Sequence, residues 1–237
     1  MYENNPEGDI RVEGGVAAWF DNFWYHHKWK TIGALFLAFV LIVCITQCAR
    51  KEKIDAVVMY AGPYLYTSNE TLTVKKELDA VMPSDLNGDG EKIVGLVTYQ
   101  IMTDEQLEAY KKKLQSYEGQ KVTVDTSYFT SQSQNCNSYL LTGECAILLI
   151  DESLFQKLKE ADRIRKLDEI FPTLPSSAID EYGLDFTKTA LAKNSEQLGK
   201  LPAGTVLCLL RPYVMGNVSN KTTYAQITQM FVAMAKD

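Results

Sequence analysis

Charge-free apolar runs, short β-type runs and amphipathic stretches follow one another along the chain, and each predicts a different element. The longest run, Thr31 to Ala49 (TIGALFLAFVLIVCITQCA), has no charged residue. A bilayer core needs about 20 apolar residues in a helix, so this run is long enough for one crossing. Lys28 and Lys30 stand before it and Arg50, Lys51 and Lys53 after it, while Trp24, Tyr25 and Trp29 supply the aromatic girdle found at headgroup depth. A buried core helix is the competing reading, but a core helix of this length seldom lacks charge on every side. A cleaved secretory signal fits less well, because the run starts after residue 30 and is longer than the ~7–15 residues of a signal's apolar region. Val43 and Gln47, which precede Cys44 and Cys48, are not the small residues that a lipoprotein signal requires. The pattern predicts a retained, single transmembrane helix over 31–49, an aromatic-rich juxtamembrane tail at 1–30 and a domain at 53–237. Three basic residues (Arg11, Lys28, Lys30) precede the helix and three follow it closely, so the positive-inside rule leaves its orientation open.

Beyond residue 53 the pattern alternates. Apolar β-type runs at Ile54–Tyr60, Ile93–Tyr99, Val122–Val124, Ala146–Ile150 and Val206–Leu210 are too continuous for a sheet with one wet face, and predict strands covered on both sides. Helical patterns lie between them at about Thr73–Met82, Asp104–Tyr117, Phe129–Leu141, Ser153–Ala161 and Thr222–Ala235. This alternation predicts an α/β fold, a layered and mostly parallel sheet with helices on both faces. Thr103 with Gln106, and Ser153 with Gln156, fit capping boxes at two helix starts. Gly143 is placed to end a helix in a left-handed turn. The stripe Tyr224, Ile227, Phe231, Met234 reads as a core face. The stretch from Phe171 to Lys200, with Pro172, Pro175 and many small polar residues, reads as an irregular insertion.

Charge and cysteine content narrow the function. The net charge is −6, of which residues 1–30 contribute −2 from three basic and five acidic side chains. An acidic domain without a basic stripe argues against a nucleic-acid partner. Cys136, Cys145 and Cys208 have no CxxC spacing, so neither a disulfide framework nor a zinc site is indicated; buried free thiols are favoured over a Cys136–Cys145 pair. Both histidines, His26 and His27, lie beside the apolar run. The domain therefore lacks Ser-His-Asp, Cys-His and HExxH chemistry, and an enzyme here would depend on carboxylates, Lys or Tyr.

Two polar clusters carry candidate chemistry. In Asp85–Lys92 (DLNGDGEK), Asp85, Asn87 and Asp89 alternate before Gly90 as in the first half of an EF-hand loop, which makes them candidate metal ligands. The twelfth position, where a bidentate acid belongs, is Leu96. No cofactor is expected beyond weak calcium, and a polar turn between helix and strand is the simpler reading. Asp151 and Glu152 follow a strand at the end where open α/β sheets place ligand groups, although acids there also stabilise the next helix through its dipole. Asp168–Glu169 and Asp180–Glu181 are adjacent carboxylates that diverge on either helix or strand.

The segment Tyr128–Ile170 (YFTSQSQNCNSYLLTGECAILLIDESLFQKLKEADRIRKLDEI) resembles the extracellular solute-binding proteins of bacterial ABC importers. Gly143 and Glu144, the strand Ala146–Ile150, Asp151, then Phe155 and Leu158, and the closing Leu167-Asp168-Glu169 stand where those proteins carry a helix stop, strand, acidic turn and helix. The aromatic tail running into an anchor also resembles that of uncharacterised Gram-positive bacterial membrane proteins. The resemblance implies one lobe of a solute-binding protein, held at the plasma membrane with its C-terminal domain extracellular. The expected role is a membrane-anchored binding or interaction module, not an enzyme, that takes a small-molecule or protein ligand through strand-end residues Tyr64, Tyr66, Tyr99, Asp151 and Glu152. A scaffold or sensor subunit that binds a partner protein is the alternative, and a carboxylate-based hydrolase the third.

Overall fold

The computed structural model describes residues 15–49, 54–118, 124–212 and 221–237. Contacts divide the chain into two units, Met1–Glu52 and Lys53–Asp237. The first contains helix α1, Val16–Ala49. Within α1, Phe23–Thr46 is a 24-residue stretch of mean hydropathy 2.1, long and apolar enough to cross a membrane, and none of it is buried. The helix starts well before the apolar run because residues 16–30 contain neither Gly nor Pro to break it. Aromatic pairs at helical spacing line this first part: Trp19 stacks on Phe23 at 5.5 Å and Phe23 meets His27 at 5.1 Å.

Among the described residues the second unit is built on five strands, β1 (Ala56–Gly62), β2 (Val94–Gln100), β3 (Ile147–Ile150), β4 (Gly183–Asp185) and β5 (Val206–Leu209), in the order β2-β1-β3-β5-β4. β1 pairs in parallel with both β2 and β3, whereas β5 runs antiparallel to both β3 and β4. The fold is α/β as expected, but the sheet is mixed rather than mostly parallel: four strands point one way and β5 points back. Strand direction is not written in a doubly covered apolar run such as Val206–Leu209, all of it buried. β4 has three residues and lies inside the stretch read as irregular. The strand expected at Val122–Val124 falls on residues outside those described, apart from Val124, which is not in a strand.

Among the described residues six α-helices accompany the sheet: α2 (Ser68–Val81), α3 (Asp104–Glu118), α4 (Thr126–Thr142), α5 (Glu152–Glu160), the short α6 (Ala190–Asn194) and α7 (Lys221–Met234). α2 begins earlier than its apolar pattern because Thr67 and Glu70 form a capping box. The box at Thr103 and Gln106 forms, with amide bonds of 2.9 and 3.2 Å. The one expected at Ser153 and Gln156 does not; Asp151 is the N-cap of α5, accepting the Ser153 N–H at 2.9 Å, so the cap lies two residues sooner than expected and the helix begins at Glu152. Gly143 ends α4 at φ 67°, the left-handed conformation expected of it.

Alternation along the strands sends side chains into two cores. Val58, Tyr60, Ile147, Leu149, Leu207 and Leu209 meet Val74 and Leu78 of α2 and Ile227, Met230, Phe231 and Met234 of α7. Met59, Ala61, Leu148, Ile150, Val206 and Cys208 meet Cys136 and Leu140 of α4 and Leu154 and Phe155 of α5. Cys136, Cys145 and Cys208 are buried free thiols.

Candidate functional site

The carboxyl ends of the parallel strands hold a cleft of about 380 Å³. Its walls are the loop after β2 and the first turn of α3 (Ile101, Met102, Thr103, Asp104, Gln106), the middle of α4 (Ser133, Cys136, Asn137) and the start of α5 (Asp151, Ser153, Leu154, Lys157). The end of β1 sets both strand-end walls: the Ile101 amide donates to the Gly62 carbonyl at 3.1 Å and the Asp151 amide to the Ala61 carbonyl at 2.9 Å. The two helix starts are then joined through side chains. One Asp151 oxygen caps Ser153, and the other accepts from Gln106 Nε2 at 2.8 Å. Gln106 in turn accepts the Thr103 amide at 2.9 Å, so the chain Thr103, Gln106, Asp151, Ser153 fixes the polar floor of the cleft.

Two helix N-termini that face one cleft favour negative charge, and Lys157 adds a cation. Asp104 and Asp151 add anions, while Ile101, Met102 and Leu154 give an apolar wall. The volume lies within the ~300–1,000 Å³ of small-molecule sites, and a polar group of either sign finds a partner inside it. Activated nucleophiles are missing among the described lining residues. Burial pushes the Cys136 thiol up to about 11, which keeps it protonated, and residues 53–237 contain no histidine that could take a proton from Ser133 or Ser153.

The structure separates the residues singled out from sequence. Asp151 lies in the cleft as well as capping α5, whereas Glu152 is exposed in the first turn and does not line the cleft. Tyr99 packs on Tyr139 of α4, ring centres 6.1 Å apart, and belongs to the core beneath the cleft. Tyr64 and Tyr66 pack on the opposite core, where Tyr66 makes edge contacts with Tyr60 and Tyr64 at 5.6 and 5.0 Å. The three tyrosines therefore do not share a pocket. The Tyr60 hydroxyl accepts the Tyr64 amide at 2.9 Å, and the Tyr64 hydroxyl donates to Glu70 at 3.0 Å. Burial pushes the Tyr60 and Tyr66 phenols far above their ordinary value, which suits a packed cluster.

In the Asp85–Lys92 loop the candidate metal ligands are occupied by backbone. Asp85 accepts amides from Asn87 at 3.0 Å, Gly88 at 2.7 Å and Gly90 at 2.8 Å; Asn87 accepts from Asp89 and Asp89 from Glu91. The Gly90 and Gly88 bonds lead the causes that hold the Asp85 carboxyl below its usual range. Among the described residues no three His, Cys, Asp or Glu side chains gather as a metal-ligand set.

Gln106, Ser133, Asn137 and Lys157 line the cleft without having been read as ligand residues from sequence. The capping box already marked Gln106 as standing at a strand-end helix start, and Lys157 follows Ser153 by four residues on the same face of α5. Ser133 and Asn137 belong to a polar helix that gives no sign of which side meets the cleft. Comparison of the chain with protein families, with characterised proteins and with solved structures finds no match to any of them.

Proposed function

We propose that the protein is a membrane-anchored binding module whose cleft at the strands' carboxyl ends takes a small polar molecule, like one lobe of a solute-binding protein. The observation that carries this reading is the meeting of the α3 and α5 starts around a cleft of about 380 Å³, joined by the Gln106–Asp151 bond at 2.8 Å. Open α/β sheets bind ligands at that end, where helix starts and strand-end loops present unpaired polar groups. A binding role is favoured over hydrolysis because the cleft offers carboxylates, amides and one ammonium but no base-activated nucleophile. The apolar stretch of α1 serves as a single-pass anchor in the plasma membrane, with residues 53–237 outside the cell.

The test is a thermal-shift screen of the full chain in detergent against amino acids, sugars, metal ions and short peptides. A thiol-reactive dye reads unfolding, because Cys136, Cys145 and Cys208 are buried until the domain opens. A small molecule that raises the melting temperature of the wild type, but not of Ser133→Trp in which an indole fills the cleft, is the expected result. Peptide hits that survive Ser133→Trp would favour the scaffold reading. Protease treatment of intact cells checks the anchor: loss of the domain before lysis is expected, and protection until lysis places it inside.

A further inference from the structure

The polar groups around the cleft between α3, α4 and α5 fall into two sets. Thr103, Gln106 and Asp151 are spent on one another and on the helix starts: the Gln106 side chain joins the Thr103 amide at 2.9 Å to one Asp151 oxygen at 2.8 Å, and the other Asp151 oxygen accepts the Ser153 amide at 2.9 Å. The second set is open. Among the described residues the side chains of Asp104, Ser133, Asn137, Ser153 and Lys157 make no hydrogen bond or ion pair within the protein, although all five line the cleft. Nothing in the chain competes with a ligand for them.

These open groups are sorted by charge. Ser153 and Lys157 stand four residues apart on α5 and therefore share one side of it, so a hydroxyl and an ammonium lie together on that wall. Asp104 brings a carboxylate to a different wall, from the first turn of α3. Ser133 and Asn137, also four residues apart, give α4 a neutral donor and acceptor wall. Ile101, Met102 and Leu154 complete the cleft with apolar surface.

We infer that the cleft binds a neutral α-amino acid in its zwitterionic form, an assignment that rests on the binding-module reading and names its ligand. The carboxylate meets Lys157 and Ser153, the ammonium meets Asp104, and an aliphatic side chain lies on Ile101, Met102 and Leu154. Charge balance favours this class. Asp104 and Asp151 stand against Lys157, so a simple anion meets a net negative lining, while a simple cation leaves Lys157 unmatched; a zwitterion satisfies both signs. Charge-assisted bonds at its two ends also fix its direction. No aromatic ring is among the described lining residues, so the cleft lacks the stacking face that holds a nucleobase.

The experiment uses the full chain in detergent with the same thiol-exposure melt. L-leucine, L-methionine and L-valine are each added at about 10 mM, and at least one is expected to raise the wild-type melting temperature by about 2–4 °C. The amide of that amino acid, which lacks the carboxylate, and its N-acetyl derivative, which lacks the ammonium, are expected to give no gain. Two exposed positions then separate the ends. Lys157→Gln is expected to weaken the amino acid at least about tenfold and to bind it no better than its amide, and Asp104→Asn to bind it no better than its N-acetyl derivative. No gain from any of the three amino acids, or equal gains from the blocked forms, overturns the assignment. Should another molecule of the screen raise the wild type but not Ser133→Trp, the zwitterion assignment falls and the binding-module reading stands; should none do so, both fall.

Discussion

Asp55 is only 8% exposed and accepts three backbone amides, from Leu86 at 2.8 Å, Asn87 at 3.0 Å and Ile93 at 2.9 Å. It ties the start of β1 to both ends of the Asp85–Lys92 turn, so that loop is anchored by a residue outside it. Removing the carboxylate strands amides that are partly shut off from water, and hydrogen bonds to charged groups are each worth about 1.5–3 kcal/mol. Asp55→Ala is therefore expected to cost about 2–4 kcal/mol in chemical denaturation, with Asp55→Asn recovering part of the loss. A cost below about 0.5 kcal/mol would mean that the turn holds itself without Asp55. The same bonds bear on calcium. Since Asp85, Asn87 and Asp89 serve amides within the turn, millimolar calcium is expected to leave the melting temperature unchanged. A rise that Asp89→Ala abolishes would instead make the loop an ion site.

Elements were legible where local chemistry and hydrophobic period agreed. α3, with its Thr103–Gln106 box, and α4, with its Gly143 stop, follow from sequence within a few residues. α5 starts sooner than expected because Asp151, read as a strand-end acid, is itself the cap. β4 was illegible for a physical reason: a strand of three residues has no period to read, and what fixes it is contact across the sheet. A Cβ on Gly183 would stand 2.6 Å from Val206 Cγ1 and 2.7 Å from Phe155 Cζ, both buried. Gly183→Ala must push β4 away from β5 and α5, and overpacking of that kind costs about 1–3 kcal/mol. Denaturation of the variant measures this; a neutral result would mean that β4 moves freely against β5. The cleft was legible only in part, since strand-end loops pointed to Asp151. Tyr99 lies on β2, where alternation sets its face, whereas the placing of Tyr64 and Tyr66 on the opposite core depends on which way the loop after β1 turns, and no local pattern encodes that.

Across the whole molecule several carboxyls are held below their ordinary range. The Thr67 amide, then Lys200, the Thr67 hydroxyl and Tyr64, take Glu70 down to about 2, and bonds to the Ser176–Ser177 turn take Asp237 to about 2. Desolvation works against Asp180, but Lys159 and the amides of Tyr182 and Gly183 outweigh it, so its net displacement is downward. Each group is ionised more readily folded than unfolded. Their contribution is fully present above the unfolded values near pH 4 and is lost as pH falls through the folded ones. The melting temperature is expected to drop progressively below about pH 4, and more shallowly in Glu70→Gln. An identical acid limb in that variant would remove Glu70 from the account.

The central claim is that ligand enters between α3, α4 and α5, and methyl NMR of the full chain in detergent tests it most directly. With a hit from the thermal screen added, the methyl signals of Ile101, Met102 and Leu154 are expected to shift, because they line the cleft. Those of the exposed Leu72 and Leu174 should stay where they are. Shifts at those distant methyls with none at Ile101, Met102 and Leu154 would contradict the placement of the site.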